Sequence, residues 1–128
     1  MSDEPKAQPA VRLVLQYEGE QVRLLSQIPV TMVVPHADPG QTTPGVYVDS
    51  RSADGMPLAR VRTYRAMAAS HEIFPAEVSE RLRHVERPQR GVFSVVLPAP
   101  PEADHMTVVR IAGGATSTDL ARFAMKRT

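Results

Sequence analysis

Arginines at alternating positions offer the most suggestive chemistry in this 128-residue chain. Arg60, Arg62 and Tyr64 fall two apart, and so do Arg81 and Arg83. In an extended strand alternate residues share a face, so each set projects to one side. A planar guanidinium presents paired donors to phosphate or carboxylate. If the two segments are neighbouring strands, Arg60, Arg62, Tyr64, Arg81 and Arg83 form a candidate anion-binding face. The region from Arg60 to Arg90 holds seven arginines against four glutamates, a local excess of positive charge. Three observations weigh against a nucleic-acid partner. The net charge is only +1, the isoelectric point is 8.2 rather than above about 9, and aromatics make up 5% of the chain, too few for a stacking platform. The expectation is a solvated sheet face with scattered ion pairs.

Other reactive residue types are placed without the partners that catalysis or metal binding requires. His71-Glu72-Ile73-Phe74-Pro75 begins like a zinc-protease H-E-x-x-H helix but ends in Pro, so the second ligand is missing. Aligning Gly55 with the invariant glycine of a calcium loop leaves Asp54 as its only carboxylate and puts Val61 at the closing position. The histidines His36, His71, His84 and His105 have no metal-ligand spacing to one another, and Met32, Met56, Met67 and Met106 read as core filler. No G-x-S-x-G elbow is present, and Gly113-Gly114 is not followed by the G-K-[ST] of a phosphate loop. We therefore assign no catalytic, metal or cofactor-binding residues and expect no enzyme.

Composition bounds what must position these groups. At 128 residues one domain is expected, and 42% apolar content suffices for a core. The absence of cysteine excludes disulfides and thiol chemistry. Twelve prolines, about twice the usual 5% share, argue against long helices. Thirteen Arg against two Lys, with no Asn, suggests a GC-rich bacterial genome, which discounts the Arg excess as a chemical signal. No apolar run reaches the ~18 residues of a membrane span, and the acidic, proline-containing start does not read as a secretory signal. A cytoplasmic protein with no membrane partner is expected.

Periodicity then places the strands. Residues 1–9 read as a flexible N-terminal arm and 10–128 as the folded domain. Val11, Leu13, Leu15 and Tyr17 alternate, Glu18-Gly19-Glu20 suits a hairpin turn, and Val22, Leu24 and Ile28 give the return strand an inner face. Pro29 predicts a bulge or an edge strand. Residues 36–44 read as a loop, 46–49 and 58–64 as strands joined by the turn Ser52-Ala53-Asp54-Gly55. Residues 75–82 fit one short helical turn opened by Pro75, although Arg81 to Val85 also alternates like a strand. Phe93, Val95 and Leu97 define another strand, residues 98–101 a proline loop, and 105–111 a further strand ended by Gly113-Gly114. Ala121, Phe123 and Met125 fit a last strand; a short helix capped at Thr118 or Asp119 is the alternative.

The fold class is thus all-β, a single antiparallel β-sandwich of seven to eight short strands. From Ala10 to Arg127 the strand pattern resembles immunoglobulin-like and fibronectin type III-like sandwiches. Antibody domains carry a Cys…Trp…Cys core, and this chain has neither residue, so the resemblance covers the layer architecture and transfers no functional residue. It implies binding and assembly. The functional expectation is a non-enzymatic protein-interaction or self-association module in a bacterial complex. The loops 35–45 and 98–105 and the segment 66–90 are its expected contact surface. Anion or nucleic-acid binding through the Arg face is a second reading. Carbohydrate binding is a third, weakened by the absence of Trp.

Overall fold

The computed structural model describes residues 6–34, 37–63 and 90–126. Within these residues seven antiparallel strands form two packed sheets. They are β1 (Gln8–Glu18), β2 (Gln21–Met32), β3 (Gly45–Arg51), β4 (Pro57–Arg62), β5 (Arg90–Pro98), β6 (His105–Ile111) and β7 (Ser117–Ala124). The first sheet has the order β2-β1-β5 and the second β4-β3-β6-β7. β2 lies beside β7 and β4 beside β5, so the sheets approach one another along both open sides. The expected all-β sandwich is therefore present. The short helical turn expected near 75–82 lies outside the described residues.

Alternation builds the core. Val11, Leu13, Leu15 and Tyr17 of β1 face Val46 and Val48 of β3 and Met106 and Val108 of β6, with Val95 and Leu97 of β5 beside them. The hairpin from β1 to β2 turns at Gly19 (φ +59°), a positive φ that glycine adopts without a Cβ clash. β1 starts at Gln8, which pairs with Met32, so Gln8 and Pro9 of the expected arm belong to the sheet.

The edge strand expected at Pro29 is present, and the departure from the sequence reading lies in the phase of β2. β2 passes straight through Pro29 to Met32, because β2 is an edge strand and a missing N–H costs no ladder bond there. Its irregularity falls earlier, where Val14 pairs with Ser26 but Leu15 pairs with Leu24, leaving Leu25 as an inserted residue. The insertion reverses the phase of all that follows. Val22 and Leu24 pack on the core as expected, but Ile28 pairs with outward Arg12 and Gln27 takes the inward phase opposite Leu13. There the Gln27 amide spans to the other sheet, donating through Nε2 to the Ala124 carbonyl (3.1 Å) and accepting at Oε1 from the Lys126 amide.

β7 begins at Ser117, and Thr118 and Asp119 pair with Arg110 and Val109, so no helix is capped there. A second irregularity at Leu120 lets that side chain reach the core alongside Ala121 and Phe123. A 3-10 turn at Gly113–Ala115, with Gly114 at φ +80°, joins β6 to β7.

Candidate functional site

Arg60 and Arg62 share the outer face of the four-stranded sheet, as their spacing implies, but only Arg62 is exposed. Register places Arg60 directly opposite Asp49 on β3. Arg60 is 7% exposed and Asp49 0%. The guanidinium bonds side-on, Nε to Oδ1 at 2.8 Å and Nη2 to Oδ2 at 2.9 Å, while Nη1 donates to the Gln41 carbonyl at 2.7 Å. The hydrogen bonds that Arg60 donates to Asp49 raise its pKa, outweighing the opposing effect of burial. The cation also lies 5.7 Å from the ring centre of Tyr47. Arg51, two residues along β3, adds a second cation at 3.0 Å from Asp49 and reaches Asp119 of β7 at 3.4 Å. Two arginines and two aspartates thus neutralise one another.

That balance corrects the candidate anion face. Arg60 is committed to a buried carboxylate and is itself buried. Arg62 donates to the Pro44 carbonyl at 3.0 Å. Tyr64, Arg81 and Arg83 lie outside the described residues. The missed participants were Asp49 and Arg51. Their signal was an aspartate inside the apolar run Val46-Tyr47-Val48-Asp49, since a carboxylate in such a strand calls for a buried cation.

The same face is closed further along. Tyr47, Val109 and Ile111 form a second buried cluster there, and the Tyr47 hydroxyl donates to the Thr43 carbonyl at 2.6 Å. The loop 37–44 folds back along β4: the Arg60 amide donates to the Ala37 carbonyl at 3.2 Å, and Gln41 Nε2 donates to the Arg60 carbonyl at 2.9 Å. This loop is tied to the sheet it crosses. The 99–104 connection is similarly anchored, with Ala99 and Ala103 buried and the Asp104 amide bonded to the Arg51 carbonyl at 2.7 Å. His105 is buried beside Asp104, Nδ1 to Oδ2 at 2.9 Å. Among the described residues no three His, Asp or Glu side chains gather as a metal site would require; His36, His71 and His84 lie outside them.

The outer face of the three-stranded sheet is different. Its cross-strand rows read Ile28–Arg12–Val96, Ser26–Val14–Ser94 and Arg23–Gln16–Val92. Large apolar side chains stand in water here: Leu25 is 53% exposed, Ile28 51% and Val92 60%. Val14, Val30 and Val96 are half-buried around them, and the Glu18–Arg90 ion pair (3.2 Å) closes one end. The sequence did carry part of this signal, because β5 is apolar on both faces. A strand of that kind needs cover on both sides. The Ile28 contribution was hidden by the Leu25 insertion.

An open cleft of about 500 Å³ lies at the end of the first hairpin, walled by Gln16, Tyr17, Glu18, Gln21, Val22, Arg23 and Leu120. It adjoins the exposed face but converges no reactive groups.

The chain matches no protein-family model, no curated protein and no solved structure.

Proposed function

We propose that this protein is a non-enzymatic β-sandwich interaction module, a subunit of a cytoplasmic bacterial assembly, contacting its partner through the outer face of β2-β1-β5. The observation that carries this reading is the asymmetry between the two sheets. One outer face is closed by its own ion pairs, buried side chains and crossing loop. The other leaves Leu25, Ile28 and Val92 about half exposed or more. Apolar surface of this kind, rimmed by polar and charged groups, is typical of contact sites. Cysteine-free, Arg-rich composition supports a reducing bacterial compartment.

Anion binding is left without Arg60. Carbohydrate binding finds no aromatic platform among the described residues, where Tyr17 and Tyr47 are buried and Phe93 and Phe123 half-buried.

Kinship with immunoglobulin-like and fibronectin type III-like domains is supported by strand number and by the crossing from β2 to β3 and from β5 to β6. The strand order sets a limit on it. In immunoglobulin constant domains the second strand lies between the first and fifth. Here β1 lies between β2 and β5, and β4 joins the sheet of β3, β6 and β7.

Native mass spectrometry of the protein purified from its own host tests the reading. The wild type is expected to carry a second chain, and the double variant Ile28→Asp, Val92→Asp to run as a lone 14.0 kDa species. Both should show equal thermal stability, since the two side chains point away from the core. A wild type that runs alone overturns the proposal.

A further inference from the structure

We propose that β5 pairs antiparallel with β5 of a second copy of this chain, centred on Ser94, to give the continuous sheet β2-β1-β5-β5-β1-β2. This deepens the interaction reading by naming the partner, and it rests on that reading.

The four sheet edges are not alike. β4 starts with Pro57, and its Arg60 backbone is already bonded on both sides of the peptide by Ala37 and Gln41. β2 contains Pro29 and is strapped to β7 through Gln27. β7 carries Asp119 and Arg122 and is broken by the irregularity at Leu120. Proline, charge and bulges are the devices that keep sheet edges from pairing. β5 has none of them between Gly91 and Leu97, and among the described residues its ladder partner is β1 alone, with β4 of the facing sheet alongside but not hydrogen-bonded into the ladder. A long apolar edge without such protection is a template for strand addition.

Self-pairing follows from the order of residues along β5. About Ser94, the antiparallel register sets Val92 against Val96 and Phe93 against Val95, with Ser94 meeting Ser94 and Arg90 meeting Pro98. From Gly91 to Leu97 every facing pair is apolar or small, and no like charges oppose. Side chains that share a face also match: Val92 and Val96 lie outward, Phe93 and Val95 inward. β-branched and aromatic cross-strand pairs stabilise such ladders. The joined sheet would cover part of exposed Val92 and run the Val14–Ile28–Val96 surface across both copies. The contact is narrow, within the class of transient interfaces below about 1,200 Å², so the dimer is concentration-dependent.

The cysteine-free chain permits a direct test. Facing residues in an antiparallel pair lie about 4.5–5.5 Å apart at Cα, within disulfide reach. Ser94→Cys is expected to form a covalent dimer under mild oxidation at least tenfold faster than Ser26→Cys, which lies on the same face at the opposite edge. In sedimentation, wild type should show a dimer at about 100 µM, as suits a transient contact. Ser94→Lys, which sets like charges directly opposite, should remain monomeric with unchanged circular dichroism. Equal cross-linking rates, or a monomeric wild type, overturn the pairing. If the native mass spectrum then shows a second chain whose mass differs from 14.0 kDa, the interaction reading stands and only self-pairing falls.

Discussion

Arg60 grips both carboxylate oxygens of Asp49 across the β3–β4 ladder, from inside the sheet's outer face rather than from solvent. The pair also reaches the 37–44 loop through Gln41, so one arginine joins two strands and their covering loop. Removing it should leave a buried, partly compensated anion. Arg60→Ala is expected to lower stability by about 3 kcal/mol, near the bottom of the 3–5 kcal/mol range for breaking a buried pair, because Arg51 still approaches Asp49. The double variant Asp49→Val, Arg60→Leu should recover most of that loss, as apolar replacement of both members often does. Urea unfolding midpoints of the three proteins decide it. A double variant no better than Arg60→Ala would contradict the account.

The Leu25 insertion makes neighbouring leucine and isoleucine positions unequal. Leu24→Ala should cost about 2–3 kcal/mol, the range for a core truncation softened by partial exposure. Ile28→Ala, outward and half exposed, should cost no more than about 0.5 kcal/mol. Deleting Leu25 would remove the irregularity while keeping Gln27 opposite Leu13 and Ile28 outward, opposite Arg12. That shortened chain should keep the Gln27 strap to β7, seen as unchanged amide exchange at Lys126.

Gly91 pairs with Tyr17, whose ring lies across the glycine backbone. A Cβ at position 91 would sit 2.6 Å from the Tyr17 hydroxyl oxygen. The Tyr17 ring also packs at 6.0 Å from Phe93, so it has little room to retreat. Gly91→Ala should therefore destabilise by about 1–3 kcal/mol through overpacking. In a Tyr17→Leu background the same substitution should be nearly neutral, and a double-mutant cycle measures the difference.

Ser50 is fully buried, and its hydroxyl has no hydrogen-bond partner among the described residues. An unpaired buried hydroxyl costs about 1–3 kcal/mol, so Ser50→Ala should raise stability, by about 1 kcal/mol after the lost packing is counted. A fall in melting temperature would show that the hydroxyl is satisfied in solution.

Among the described residues, Arg62 is the exposed member of the candidate anion face. Heparin retention at low salt should be weak and should change little in Arg62→Ala. A strong, salt-dependent retention lost in that variant would revive the anion reading.

The elements that alternation alone determines were legible in the sequence. β1, β5 and β6 follow their side-chain patterns to within a few residues, because one buried face imposes a period of two on any half-buried strand. The tight turns at Gly19 and Gly55 were legible for a similarly local reason, a positive φ that glycine accepts without strain. The phase of β2 beyond Leu25 was not, since an inserted residue is defined only against the partner strand. Nor was the fate of Arg60. Its spacing with Arg62 assigned a face, but whether that face meets solvent or a carboxylate depends on which strand lies opposite and in what register. Tertiary structure made that choice by setting Asp49 beside Arg60. It likewise left Leu25, Ile28 and Val92 exposed on the first sheet.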